Sequence, residues 1–282
     1  MVCIITDSTC DLGTTITSKA NIHTVPLYVN INGTNYIDGV TITTPDLFKS
    51  VDETGLLPKT SAPTVADFQK ALAVFDETIC ITLSSKLSAT YQNALLAQEG
   101  LHRGESSDHR NFVIDSLNLS TGIGLLVLKA ATMRDQGLPT AEIAARIQEM
   151  IPKVRTSFVV NTLDYLYKGG RCSAVQNIMG SLLSIRPIIA IRPDGTLGIK
   201  EKVRGSRMKA LQAMLNSFAQ DLANLDLDQV FVTHTSSDED AEYLKSEILK
   251  LAPVRNVTIT TAGSVIASHC GPGTIGILYM LK

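Results

Sequence analysis

The 282-residue chain has no tryptophan, and aromatic residues make up only 5% of it. It is therefore poorly equipped to stack nucleic-acid bases. Its 25 basic and 27 acidic residues leave a net charge of -2, which argues against a polyanion-binding face or a polybasic membrane surface. The five cysteines, Cys3, Cys10, Cys80, Cys172 and Cys270, form no C-x-x-C and fit no zinc spacing. Their odd number and scatter suit a reduced, cytoplasmic protein. The opening MVCIITDSTCD lacks a basic leader region and has the pattern of a strand, not a signal peptide. The longest apolar stretch, IGLLVLKAA from Ile123, is broken by Lys129 and is too short to span a bilayer. There is no G-x-S-x-G elbow, no Walker-type loop and no H-E-x-x-H. Nucleic-acid partners, integral membrane association, metals and cofactors are thus not expected.

What the chain does have is a well-filled apolar composition, 44% hydrophobic against 18% charged. In the first half, apolar runs at 2–6, 78–83 and 112–114 alternate with helical patterns at 12–20, 44–53, 65–75, 89–98, 120–136 and 140–151. A hairpin turn stands at Asn32-Gly33. That alternation predicts an α/β domain with a largely parallel sheet over 1–152. The second half has a strand at 157–161, a turn at KGGR (168–171) and a helix at 173–184. A hairpin follows around Asp194-Gly195, then helices at 207–221 and 238–251 and strands at 230–233, 257–261 and 274–280. It predicts a second, α+β domain over 153–282 with a mostly antiparallel sheet. HRGESSDHR (102–110) is expected to be a polar loop.

Candidate chemistry gathers in hydroxyl-rich loops. KTSAPT (59–64) lies between two helices, while SSKLSATYQ (84–92) and DSLNLST (115–121) each join a strand to a helix. In a parallel sheet such loops meet at the carboxyl ends of the strands, where ligands bind. A helix starting near Ala89 would point free N–H groups outward beside Ser88, an arrangement that suits an anion. Ser88 and Thr64 are also ordinary N-caps, Thr60-Ser61 an ordinary turn pair, and Asp7 and Asp115 ordinary loop caps. Near the end, HCGPGTIG contains G-x-G-x-x-G. The residues after it, ILYMLK, provide neither the helix nor the acidic residue that a dinucleotide site needs. The glycines are expected to bring the backbone close to a ligand. His269 and Cys270 are expected on extended chain pointing to opposite faces, which does not make them a dyad.

Taken together, TDSTCDL (6–12), PLYVNINGTNYIDGV (26–40), KTSAPT, SSKLSATYQNA (84–94), LDYLYKGGRCS (163–173), IRPIIAIRPDGTL (185–197), KVRGSR (202–207) and GSVIASHCGPGTIG (263–276) resemble the DegV family over nearly the whole chain. These are bacterial fatty acid-binding proteins that serve as carrier subunits of a fatty acid kinase. The resemblance implies a non-enzymatic carrier whose apolar tunnel between two domains holds a palmitate-like long-chain acid. Carried over by motif, Thr60, Ser88 and His269 would hold the carboxylate, with Ser61 beside them, and Arg204 would serve the kinase partner. The product would be an acyl phosphate, a phospholipid precursor. Ala89 replaces a glycine that family members often carry, and its methyl is expected to tighten the approach to the head group. The rival from another class is an acyl-ester hydrolase or acyltransferase using Ser88 or Cys270 with His269. Transport of a different anionic lipid is a third possibility.

Overall fold

The computed structural model describes residues 2–102, 110–172 and 185–282. The helix expected at 173–184 and most of the polar loop at 102–110 lie outside the described residues. The strands are β1 (Cys3–Asp7), β2 (Ile22–Val25), β3 (Tyr28–Ile31), β4 (Thr34–Ile37), β5 (Lys59–Ser61), β6 (Glu77–Thr82), β7 (Arg110–Asp115), β8 (Val154–Val159), β9 (Ile185–Ile191), β10 (Leu197–Arg204), β11 (Leu225–His234), β12 (Asn256–Thr261) and β13 (Ile275–Leu281). The helices are α1 (Gly13–Lys19), α2 (Thr44–Thr54), α3 (Val65–Leu72), α4 (Thr90–His102), α5 (Thr121–Asp135), α6 (Thr140–Met150), α7 (Asp164–Gly169), α8 (Arg207–Gln220), α9 (Asp238–Leu251) and α10 (Ser264–Cys270).

β2, β1, β6 and β7 form an all-parallel sheet in that order. The second sheet, β10-β9-β8-β13-β11-β12, is antiparallel except for the β11–β12 pair. This is the two-domain α/β architecture anticipated from the sequence. A small antiparallel sheet, β4-β3-β5, carries the KTS stretch. The Asn32-Gly33 turn has φ of 49° and 83°, as a tight two-residue hairpin requires.

Both main sheets bury their two faces, which is why their strands run apolar throughout instead of alternating. In β1, Ile4 faces one core, while Cys3 and Ile5 face another shared with α3 and α4. In β13, Leu278 and Met280 face inward, while Ile275, Ile277 and Tyr279 pack outward under α8 and α9. The layer between the sheets is α5. It touches β1 and β6 on one side and β8, β11 and β13 on the other. A helix buried all round needs an apolar surface all round, and TGIGLLVLKAATMRD supplies one. Its lone interior cation, Lys129, is met by Asp226 at 2.6 Å and Asp228 at 2.9 Å on β11.

Two glycines let α5 sit this deep. A Cβ on Gly122 would fall inside contact distance of Asn118 Oδ1 and 2.6 Å from Thr156 Oγ1 on β8. One on Gly124 would lie 2.6 Å from Leu12 Cδ2. Alanine is the better helix former by about 1 kcal/mol. Even so, Gly122→Ala should destabilise the protein by about 1–3 kcal/mol through overpacking. Urea unfolding checks this: the midpoint should fall at unchanged slope, and a rise would mean the α5–β8 contact is slack.

Candidate functional site

The parallel sheet winds one way from β1 to β2 and the other way to β6 and β7. The loops leaving the carboxyl ends of β1 and β6 therefore diverge at a switch point, the usual place for a ligand crevice. The β6 loop carries Ser84 to Ser88. Its Ser84 Oγ donates to the carbonyl of Gly195 at 2.8 Å, which docks the tip of the β9–β10 hairpin onto it. Gly195 has φ of 83°, and a Cβ there would strike Ser84 Oγ and Leu117, so this docking needs glycine twice over.

Beneath that contact lies a narrow cavity. Leu83, Leu119, Leu166, Leu197 and Ile266 give it hydrocarbon walls, and Thr60, Ser88, Arg171 and His269 give it a polar end. A second narrow cavity shares Leu119, Ile266 and Cys270 with the first. It continues between the amino end of α5 and the inner face of the mixed sheet at Phe158 and Leu278, with Thr156, Thr233, His234 and Thr274 also in its wall. Together they form a narrow, mostly apolar passage between the two sheets, with Thr60, Ser88 and His269 at the first cavity.

Thr60 and His269 are 209 positions apart in the chain, yet Thr60 Oγ1 lies 2.8 Å from His269 Nε2. Thr60 is the middle residue of β5, held by β3 through the Val29 register. His269 belongs to the last turn of α10. Its Nδ1 is buried without a hydrogen-bond partner among the described residues and faces Gly169, where a Cβ would lie only 2.5 Å away. Gly169 is thus the residue that gives the ring its room, and Gly170, at φ 69°, ends α7. Burial, and then the Arg171 guanidinium, push the imidazole down to about 4. It is neutral at physiological pH. The tautomer that suits this setting carries its proton on Nε2 toward Thr60 and leaves bare Nδ1 against the glycine. The Thr60 O–H is then free to donate into the cavity.

Ser88 keeps both of the roles open to it. Its Oγ accepts the Thr90 N–H at the start of α4, and it also lines the cavity. Ser61 follows Thr60 on β5, so it faces the other way, and it is exposed outside the cavity wall. Arg204 ends β10 on the surface, paired in register with Ile185, and does not line the cavity. Ala89 is exposed and lines no part of it either, so its methyl does not tighten the head-group end. Of the glycines of HCGPGTIG, Gly276 lines the second cavity, while Gly271 and Gly273 make room for protein side chains. A Cβ on Gly271 would strike the Tyr165 ring at 2.6 Å, and one on Gly273 would strike Asn161 at 2.9 Å. His269 and Cys270 are not extended but close a helix. Cys270 lines both cavities, and burial pushes its thiol up to about 12.

Arg171 is the group that sequence reasoning left without a role. Its Nη1 donates to the Gly169 carbonyl at 2.6 Å and its Nε to the Leu87 carbonyl at 3.4 Å, across the cavity mouth. It sets a positive charge beside Thr60, Ser88 and His269. The one hint in the sequence was a cation directly after two glycines in KGGR.

The low His269 value has a testable sign. The unfolded imidazole protonates near 6.5 and the folded one near 4, so its stabilising contribution is complete above 6.5 and is lost as pH falls toward 4. The loss is at most about 1.4 kcal/mol per pH unit. His269→Gln should remove that part of the slope, as measured by urea midpoints from pH 7 to 4. In the wild type, the ring C2–H resonance should stay at its neutral position until pH nears 4.

A family model described as an uncharacterised protein of the DegV family matches residues 1–282. A DegV domain-containing protein of Clostridium acetobutylicum is 37% identical, with 99% of this chain and 98% of that one aligned. Among solved structures, a DegV family protein from Thermus thermophilus, described as binding fatty acid, superposes with a TM-score of 0.91 at 30% identity. That match covers 100% of this chain and 99% of the other. A stearic acid-binding protein from Eubacterium ventriosum matches with a TM-score of 0.90 at 28% identity, covering 100% and 99% of the two chains.

Proposed function

The chain belongs to the DegV family, and from that premise we propose that it is a cytoplasmic carrier of a long-chain fatty acid, not an enzyme. The acyl tail occupies the passage between the two sheets, and the carboxylate sits at the end lined by Thr60, Ser88 and His269. The observation that carries this role is the Thr60–His269 pair: a threonine fixed by a neutral histidine at the polar end of an otherwise hydrocarbon cavity. A carboxylate leaving water must be met by donors, because an unpaired buried charge is very costly. Two hydroxyls supply them, and Arg171 supplies the opposite charge.

Affinity then comes mostly from the tail. About 15 methylenes at about 0.8 kcal/mol each favour binding by roughly 12 kcal/mol. Association and ordering oppose it by an estimated 4–15 kcal/mol. A preformed passage and good head-group pairing decide the balance. The hydrolase or acyltransferase alternative finds less support. The Cys270 thiol stays protonated, and the His269 Nε2 is engaged by Thr60 instead of Ser88 or Cys270. From the motif resemblance, the carrier presents its bound acid to a fatty acid kinase and keeps the acyl phosphate, with Arg204 on the exposed face that meets the kinase.

Native mass spectrometry of the purified protein, followed by denaturation and organic extraction, tests the ligand. A stoichiometric long-chain fatty acid released on unfolding is expected. A protein that remains free of lipid after incubation with a fatty acid mixture would overturn the role. Ser88→Ala and His269→Ala should each weaken palmitate binding by roughly 10- to 100-fold, equivalent to one hydrogen bond to a charged group. The fold should survive both, as judged by circular dichroism. Arg204→Ala should leave palmitate binding intact and slow phosphorylation of the bound acid by the kinase. Equal phosphorylation rates would remove Arg204 from that face.

A further inference from the structure

The TDSTCDL stretch supplies no donor to the head-group end, yet it buries two carboxylates, Asp7 and Asp11. Asp38, after β4, is buried beside them. Their recorded partners are hydrogen-bond donors, not cations. Asp7 accepts from the backbone N–H of Leu83 at 2.7 Å, besides Thr9. Asp11 Oδ1 accepts from the Gly263 N–H at 2.8 Å and its Oδ2 from Ser120 Oγ at 2.5 Å. Asp38 Oδ1 accepts from the Ser264 N–H at 2.8 Å and its Oδ2 from Ser8 Oγ at 2.7 Å. Burial pushes all three carboxyls up, Asp11 to about 8, so placing them here costs stability.

The recipients of these bonds point to what they do. Gly263 and Ser264 open α10, a helix of seven residues whose N-cap has no side chain of its own. A helix this short does not hold itself. Its free N–H groups are taken by carboxylates 252 and 226 positions away in sequence. A Cβ on Gly263 would lie 3.2 Å from Asp11 Oδ1 and 3.3 Å from either Asp38 oxygen, so the helix start is clasped between them. The other end of α10 carries His269. At about 1.5 Å rise per residue the lever is roughly 8 Å long, and a tilt of about 10° would move the ring by more than 1 Å. That would break the contact with Thr60. Leu83, the residue Asp7 holds, begins the loop that ends at Ser88.

We propose that Asp11 and Asp38 are positioning residues for His269, and that Asp7, from the same turn as Asp11, positions the Ser88 loop. The turn at the carboxyl end of β1, with Asp38 beside it, thereby sets the spacing of the head-group donors. The assignment depends on the carrier role for its ligand but not for its geometry.

Double-mutant cycles with palmitate as probe test it. Asp38→Ala should weaken binding about ten-fold in the wild-type background and less than about two-fold further in His269→Ala, while adding in full to Ser88→Ala. Asp7→Ala should show the reverse pattern. Asp38→Asn, which keeps one acceptor for the Ser264 N–H, should restore most of the loss. Additive losses in both backgrounds, tracking a lowered melting temperature, would make these residues merely structural and overturn the proposal. If Asp38→Ala fails to fold, Ser8→Ala, which removes only one partner of Asp38, should show the same coupling to His269 in weaker form. The unliganded protein gives a separate reading. The imidazole nitrogen shifts of His269 should move in Asp38→Ala or Ser8→Ala and stay near the wild-type values in Asp38→Asn, and unchanged shifts in the alanine variants would overturn the proposal. A wild type that binds no palmitate would defeat the carrier role and leave this second reading to decide the positioning.

Discussion

The contact between Thr60 and His269 exists only if two sheets from opposite halves of the chain are locked in one orientation. Thr60 sits on a three-residue strand and His269 on a seven-residue helix, neither able to stand alone. The lock is built from burial and supplemented by a few polar ties. α5 fills the space between the sheets and exposes only Thr132 and Asp135 fully. Around it, Thr121 Oγ1 meets Thr233 Oγ1 at 2.6 Å, Lys129 meets β11, and Ser84 meets the Gly195 carbonyl. Each tie is short range and joins the two halves. The apolar passage is what remains where α5 begins and its side chains no longer fill the gap.

The two ends of that passage answer to different physics. Its length is hydrocarbon, where binding is nondirectional and grows with buried area. Its polar end is directional, and its charge balance matters more than its number of contacts. A protonated His269 would carry a second cation beside Arg171 and would lose its capacity to leave Nδ1 bare against Gly169. Burial keeps it neutral instead, so it orients Thr60 without competing for the anion's charge. Arg171 stays at the mouth, its guanidinium tied to the carbonyls of Leu87 and Gly169.

The sequence made the layers legible because their cause is local. Continuous apolar runs announced the doubly buried strands, Asn32-Gly33 the hairpin, and Thr64 followed by Asp67 the capped start of α3. The grouping of Thr60, Ser88 and His269 on one cavity was legible only through the resemblance of whole motifs. α10 was not legible at all. SVIASHC lacks a capping residue because its caps, Asp11 and Asp38, lie more than two hundred positions upstream, so the chain looked extended there. The faces of Thr60 and Ser61 could not be told apart without the register of β5 on β3. The glycines of HCGPGTIG misled for a related reason. A glycine marks a close approach without saying what approaches, and here Tyr165 and Asn161 do.

The polar end also favours holding over reacting. A nucleophile needs a base aimed at it and a third group that orients the base. Among the described residues, His269 Nε2 faces Thr60, and Nδ1 is buried against Gly169 with no carboxylate beside it. The nearby acids Asp11 and Asp38 are instead committed to the amino end of α10. They act on His269 through the helix and not through its ring, which fixes the position of the histidine without raising its basicity. Under the proposed carrier role, a site built this way would hold an acid with hydroxyl donors beside Arg171 and offer it no oriented nucleophile–base pair.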